Sequence, residues 1–234
     1  MKRMNLLSLV LGLLLVAALA VGCAAPAAAP APAADDAAGT DEAPAEGAAA
    51  EDGRIYIPDI SKGFQHQFWQ AVEAGANQAA EDFGVEITFE GPESEAMVDR
   101  QIEMLQAALA KNPDAICLAA LDTQAAIPLI EEADSRGIPI VGFDSGVDSD
   151  IPVATAATDN LAAAALAADK MAELIGGEGQ VAVIVHDQTS RTGIDRRDGF
   201  LNRMEAEYPN IEIVNVDYGA GDQLKSTDLA DRKS

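Results

Sequence analysis

The sequence predicts an α/β fold of two lobes, each a parallel sheet flanked by helices. Three observations carry that expectation. Short β-rich runs alternate with helical patterns from residue 54 onward. Most of those runs are continuously apolar rather than alternating, as strands covered on both faces should be. The rhythm pauses over residues 144–152 and then restarts, which divides the alternation into two blocks.

Strands are expected at 54–58, 85–90, 114–121, 138–143, 153–156, 180–186 and 211–217. In the first helical pattern, Phe68, Val72, Ala76, Ala79 and Phe83 fall at helical spacing, and Gly84 stands where a C′ residue belongs. In the second, Val98, Ile102, Leu105 and Leu109 make one stripe. The third is expected over about 124–136 and stops at Gly137. The fourth starts behind Asp159, a suitable N-cap, and ends at Gly176-Gly177. The fifth covers about 192–208, before Pro209, and a sixth begins near Asp222. Alternation at this pitch implies right-handed crossovers and a parallel sheet. The chain is expected to cross between lobes near 154–160. Ligands of open parallel sheets bind beyond the carboxyl ends of the strands, so two lobes can face each other across a binding cleft.

Composition removes several classes of function. The chain has 234 residues and a formal net charge of −24. That charge argues against nucleic acid, whose phosphates are neutralised by clustered Lys and Arg, and against electrostatic attachment to anionic lipid. Hydrophobic residues reach 49% but aromatics only 4%, so the core must be aliphatic. Two cysteines exclude a disulfide-dense scaffold or a Cys-based zinc ribbon, and two histidines argue against a multi-His metal site.

Residues 1–23 read as an address. Lys2 and Arg3 precede an apolar run of 15 residues, 6–20. That run is short for a bilayer span and right for a signal sequence. Its ending, Leu19-Ala20-Val21-Gly22-Cys23, resembles the lipobox of bacterial lipoproteins, which implies lipidation of Cys23 and a membrane anchor outside the cytoplasm. An ordinary secretory signal with a chance cysteine is the alternative. Residues 24–52 hold 15 Ala, four Pro and seven acidic residues, with no Lys or Arg and no large apolar side chain. Nothing there offsets the entropy of ordering, so the segment is expected to be an extended, disordered tether. The remaining 182 residues carry 32 acidic and 13 basic side chains, a net of −19. Their domains are expected at 53–157 and 158–234. Cys117, inside an apolar run, reads as a buried strand thiol.

The strand-end loops hold the candidate chemistry. They are residues 59–69, 90–95, Asp122, Asp144-Ser145 and 186–197. Asp144 follows the run Ile138-Pro139-Ile140-Val141-Gly142-Phe143, and a carboxylate there can accept two charge-assisted hydroxyl bonds. His66 offers a polar edge, and Phe68 and Trp69 offer flat apolar faces that suit the C–H face of a sugar ring. Arg196 lies near a helix start in Asp195-Arg196-Arg197-Asp198-Gly199-Phe200. The plain alternatives are a loop-capping Asp144, core packing of Phe68 and Trp69, and a surface ion pair for Arg196. Enzyme signals are weak. Gly176-Gly177-Glu178-Gly179 follows a helix rather than a strand. His186, Asp187 and Ser190 are triad residue types without a nucleophile elbow.

Four segments in order resemble one family: Gly63-Phe64-Gln65-His66-Gln67-Phe68-Trp69 with Gly75-Ala76, Gly137-Ile138-Pro139-Ile140-Val141-Gly142-Phe143-Asp144, Thr158-Asp159-Asn160, and Arg196-Arg197-Asp198-Gly199-Phe200. Together they resemble the type I solute-binding proteins of ABC transporters, the ribose-binding-protein-like sugar receptors, over about 54–229. The resemblance implies a two-lobed periplasmic-binding-protein type I fold that closes by hinge motion on a monosaccharide or similar polyol. It implies delivery to an ABC permease, no bond chemistry, no cofactor, no metal and a monomeric receptor. Ligand contacts carry over to His66, Phe68, Trp69, Asp144 and Arg196. Many members have Asn-Pro at His66-Gln67. Ser145 stands where an Arg often follows the Asp and is taken as a ligand contact in its place. A family aromatic falls at Gly221. Members run to well over 300 residues, so the second lobe is expected to be incomplete and the reading frame truncated or shifted.

Glu90-Gly91-Pro92 and Tyr208-Pro209 with Glu212-Ile213-Val214 also resemble autoinducer-2 and rhamnose-type receptors of the same fold. Autoinducer-2 receptors carry a Lys near the first strand end, where this chain has Asp59. A sugar-responsive repressor would need a basic helix-turn-helix in place of residues 1–52. An α/β enzyme is the remaining alternative.

Overall fold

Parallel pairing governs the molecule, a computed structural model that describes residues 53–232. The expected signal, Cys23 and the 24–52 tether lie outside the described residues. The elements run β1 (Tyr56–Ile60), α1 (Gln67–Phe83), β2 (Glu86–Glu90), α2 (Val98–Ala110), β3 (Ile116–Leu118), α3 (Ile127–Ser135), β4 (Ile140–Phe143), β5 (Ala154–Ala156), α4 (Asn160–Ile175), β6 (Gly179–Val185), α5 (Arg191–Glu207), β7 (Ile211–Tyr218) and α6 (Gln223–Asp231). Five strands form one sheet in the order β2-β1-β3-β4-β5, and β6 and β7 form a second. Every pairing is parallel, so the carboxyl ends of each sheet gather on one edge.

Local chemistry sets most boundaries. Gly84 and Gly176 both adopt the left-handed conformation that ends α1 and α4. Asp159 caps α4 by accepting from Ala162 N, and Asp222 caps α6 by accepting from Lys225 N. The third helix starts at Ile127 rather than at 124. The Asp122 Oδ1 accepts from Gln124 N (2.8 Å) and Ala125 N (2.9 Å), which holds that stretch in a turn, and Pro128 then suits the first helical turn.

The larger core is aliphatic. Ile60, Leu105, Leu109, Ile116, Leu118, Ile130 and Ile140 are packed against one another under α2 and α3. A smaller core joins Ala168, Ala172, Val181, Met204 and Ile211. There α4 and α5 meet closely at Gly199, where an added Cβ would run into the Leu161 carbonyl. The stripe on α1 packs less than its spacing suggests. Of that helix only Trp69 is buried, Phe83 is 81% exposed, and Val72, Ala76 and Ala79 border an open apolar groove with Ile57, Ile87 and Phe89. Cys117 lies half-buried on β3 beside Asp59. Burial and that carboxylate push its thiol up to about 12, where it stays protonated and unreactive.

Ile130 is fully enclosed in the larger core. Ile130→Ala should lower unfolding stability by about 2–5 kcal/mol, measured as the urea midpoint at unchanged slope.

Candidate functional site

The loops after β1, β2 and β4 face the loops after β6 and β7 across a cleft of about 580 Å³. Five of the six residues expected there, His66, Phe68, Trp69, Asp144 and Arg196, line it together. They come from three segments up to 130 residues apart in the chain.

Each is held by its own local structure. His66 is the N-cap residue of α1 in extended conformation, and its side chain makes no capping bond, so the ring is left for the cleft. Phe68 presents a face that is 54% exposed. Trp69 lies 2% exposed beneath it, edge-on to Phe68 at 4.8 Å and to Phe143 at 6.3 Å. Trp69 is therefore a floor rather than an open stacking face. Asp144 sits at φ 54, a left-handed conformation that Asp tolerates better than most residues, fixed by its N–H to Ala156 O at 2.9 Å. Burial pushes its carboxyl up, and the nearby Lys62 and Arg196 offset only part of that. The Arg196 Nε donates to Asn160 Oδ1 at 2.7 Å, and the Asn160 amide donates to Thr158 O. The Thr158-Asp159-Asn160 segment thus starts α4 and positions Arg196.

Ser145 is the exception. Its side chain is completely buried and points away from the cleft into a small space among Leu118, Ile130 and Thr155. Among the described residues its hydroxyl has no hydrogen-bond partner. The left-handed turn at Asp144 explains this: it sends the Asp toward the cleft and the following side chain behind the sheet edge. Ser145 contributes backbone instead, its carbonyl accepting from Ala120 N at 2.8 Å.

The cleft also contains residues that were not expected as ligand contacts. Lys62 is 3% exposed, and its Nζ donates to Thr192 Oγ1 at 3.0 Å and lies 3.6 Å from Glu95 Oε2. Glu95 accepts from Trp69 Nε1 at 2.9 Å and pairs with His186 Nε2 at 3.1 Å. Burial alone would raise the Glu95 carboxyl, but the His186 and Trp69 hydrogen bonds and the Lys62 charge hold it at about 2. The other His186 nitrogen meets Asp187 Oδ2, and the two carboxylates lift the imidazole to about 9 against its burial. Burial would likewise raise Asp187, yet His186, Ser190 and Thr189 keep it well below the usual carboxylate range. Ser190 donates to Asp187 rather than to the imidazole, so these three residues form no general-base relay. Gly221 has φ 70, and an added Cβ would lie 2.9 Å from His186 Nε2. The imidazole thus fills the space where the resemblance suggested an aromatic. The signal that could have found Lys62 and Glu95 was position alone: both lie in the loops that follow parallel strands, two residues past β1 and five past β2.

An open, partly apolar cleft at facing strand ends, with unspent polar groups and no nucleophile–base pair among the described residues, is the geometry of a pocket in the α/β class whose ligands sit beyond the carboxyl ends of parallel strands. The family model for the periplasmic binding protein domain matches residues 60–232, and the chain belongs to that family. The D-apiose import binding protein of Actinobacillus succinogenes is 25% identical over 166 residues, which are 70% of this chain and 52% of that one. The D-allose-binding periplasmic protein of Escherichia coli is 25% identical over 73% of this chain and 57% of its own. A carbohydrate transporter solute-binding protein of Agrobacterium radiobacter, solved with D-arabinose, superposes with a TM-score of 0.74 at 31% identity. It is covered over 62% of its length, by 77% of this chain. An ABC transporter solute-binding protein of Agrobacterium vitis, solved with D-fucose, gives 0.73 at 32% identity, with 76% and 62% covered. The chain spans about half the length of the curated relatives it matches.

Asp144→Ala and Arg196→Ala should each weaken ligand binding by about 2 kcal/mol or more, because each leaves buried polar partners unmatched. Ser145→Ala should leave affinity unchanged and cost no stability, since it deletes an unpaired buried hydroxyl. Calorimetric titration and a denaturant midpoint separate the two outcomes.

Proposed function

We propose that this protein is a receptor for a monosaccharide or similar polyol, acting as the substrate-binding component of an ABC importer. The observation that carries the reading is the unspent hydrogen-bonding capacity of the cleft. Glu95 and Asp187 are already satisfied by protein groups, whereas among the described residues no side-chain donor meets the Asp144 oxygens and no acceptor meets the Arg196 Nη groups beyond the Asn160 contact at Nε. A carboxylate acceptor and a guanidinium donor beside an exposed aromatic face suit a ring bearing several hydroxyls. Relatives named for apiose, allose and ribose, and structures solved with arabinose and fucose, support the same class of ligand.

In this reading residues 53–157 and 158–234 act as lobes that close by hinge motion about the crossover near 154–160. The ligand is bound and handed to a permease, with no bond made or broken and no cofactor. Cys23 carries lipid, residues 24–52 serve as the spacer, and the receptor works as a monomer outside the cytoplasm. An autoinducer-2 or rhamnose-type signal is the second reading. Asp59 packs beside Cys117 in the sheet, but Lys62, three residues on, brings an ammonium to the cleft.

A thermal-shift screen of pentoses, hexoses, polyols and autoinducer-2 should raise Tm with one pentose, hexose or polyol, by mass action. A shift with autoinducer-2 alone would transfer the assignment to the second reading, and turnover of a bound sugar would remove the receptor reading. Cys23→Ser should release the protein from the membrane fraction on expression in a bacterial host, read by fractionation. Unchanged membrane retention would refute the lipid anchor.

A further inference from the structure

We propose that Lys62, Glu95, His186 and Thr192 form a latch that holds the two sides of the cleft together without ligand and positions Trp69 beneath it. The proposal concerns the cleft assigned above to sugar and rests on that assignment only for its consequence for affinity.

Two side-chain contacts bridge the cleft itself, apart from the Thr123 N–H to Thr189 O, Thr189 Oγ1 to Leu121 O and Arg191–Asp148 contacts that also join the two sides. The Lys62 Nζ reaches Thr192 Oγ1, and His186 Nε2 reaches Glu95 Oε2. Both carriers on the first side are secluded, with side-chain exposures of 4% for Lys62 and 13% for Glu95. Glu95 uses one oxygen for Trp69 Nε1 on its own side and the other for His186 on the far side. One carboxylate therefore couples the orientation of the indole to the apposition of the two sheets. His186 is braced in turn by Asp187, which Ser190 and the Thr189 N–H hold in place. The missing side chain at Gly221 leaves room for the imidazole. These groups are spent on one another, so they are positioning residues rather than ligand contacts.

Separating the two sides would leave a buried ammonium and a buried carboxylate short of partners, which is costly unless water enters. The ligand-free protein should therefore already favour the apposed arrangement. A ligand that needs this arrangement binds more tightly by the fraction of molecules that occupy it. The latch has a defined pH range. The His186 ring faces Glu95, Lys62 and Asp144 across the cleft and Asp187 on its own loop, and from the loop after β7 it meets Gly221, while its backbone carbonyl accepts from the Ala220 N–H. Its folded value, about 9, lies above the ordinary 6.5. The stabilisation is thus complete below 6.5 and is lost as pH rises through about 9.

Trp69 is the sole tryptophan, so its fluorescence reports the latch directly. Acrylamide quenching of the ligand-free full chain is measured from about pH 6 to about pH 10, alongside the radius of gyration by X-ray scattering. Wild type should quench weakly at the acid end and about twofold more strongly at the alkaline end, with a matching expansion. Glu95→Gln should quench strongly throughout, His186→Gln should lose the pH transition, and His186→Lys should restore weak quenching. A flat wild-type profile, which needs no variant to fold, would overturn the latch, as would wild-type profiles in both Glu95→Gln and His186→Gln. Because no sugar is present, the latch can hold while the sugar screen fails, or the reverse.

Discussion

A lysine with almost no contact with water has to be compensated, and the placement of Lys62 organises much of this structure. Its ammonium sits at the carboxyl end of β1, where the sheet brings Glu95 from the loop after β2. Its hydrogen-bond partner Thr192 belongs to the opposite side. Charge in a low-dielectric setting is tolerated only when it is paired and hydrogen-bonded. That requirement draws Glu95, then His186, then Asp187 into one chain of contacts across the cleft. These contacts add to the Thr123–Thr189 backbone bond and the Arg191–Asp148 pair that also join the two sides, whereas the apolar cores lie apart, each within its own layer.

The same compensation sorts the polar groups of the cleft into two sets. Glu95, His186, Asp187, Ser190 and Thr192 are consumed by protein partners. Asp144, Arg196 and His66 keep capacity toward the open space. Strain accompanies the second set: Asp144 holds a left-handed backbone that a strand-ending residue would ordinarily avoid, and such strain is tolerated where it aims a functional group. The turn that aims Asp144 also removes Ser145, so one backbone torsion decides both residues. Arg196 shows the complementary arrangement. It is exposed, yet one of its nitrogens is tethered by the buried Asn160, which leaves the remaining donors directed rather than free to wander.

Legibility differed by level. Strand-helix alternation, the glycine stops at 84 and 176 and the caps at Asp159 and Asp222 were readable because each depends on residues within a few positions of itself. The start of α3 was misread because the Asp122 side chain competes with the helix for its first N–H groups. Candidate residues at strand ends could be located because a parallel sheet always delivers its carboxyl ends to one edge. Which side chain of each loop turns inward could not, as Ser145 shows. Trp69 and Phe68 are neighbours in sequence, yet one became a buried floor and the other an open face. That division depends on Glu95, Phe143 and the shape of the loop.

By itself, then, the sequence determined the α/β class, the parallel sheets, the order of elements and the set of loops that bear the site, because periodicity and capping are local properties of the chain. Tertiary structure alone decided that Lys62 and Glu95 are buried, that His186 bridges to them, that Gly221 makes room for that ring and that Ser145 faces away. Those outcomes turn on distances between segments far apart in the chain, and such distances are set only when the two sheets meet.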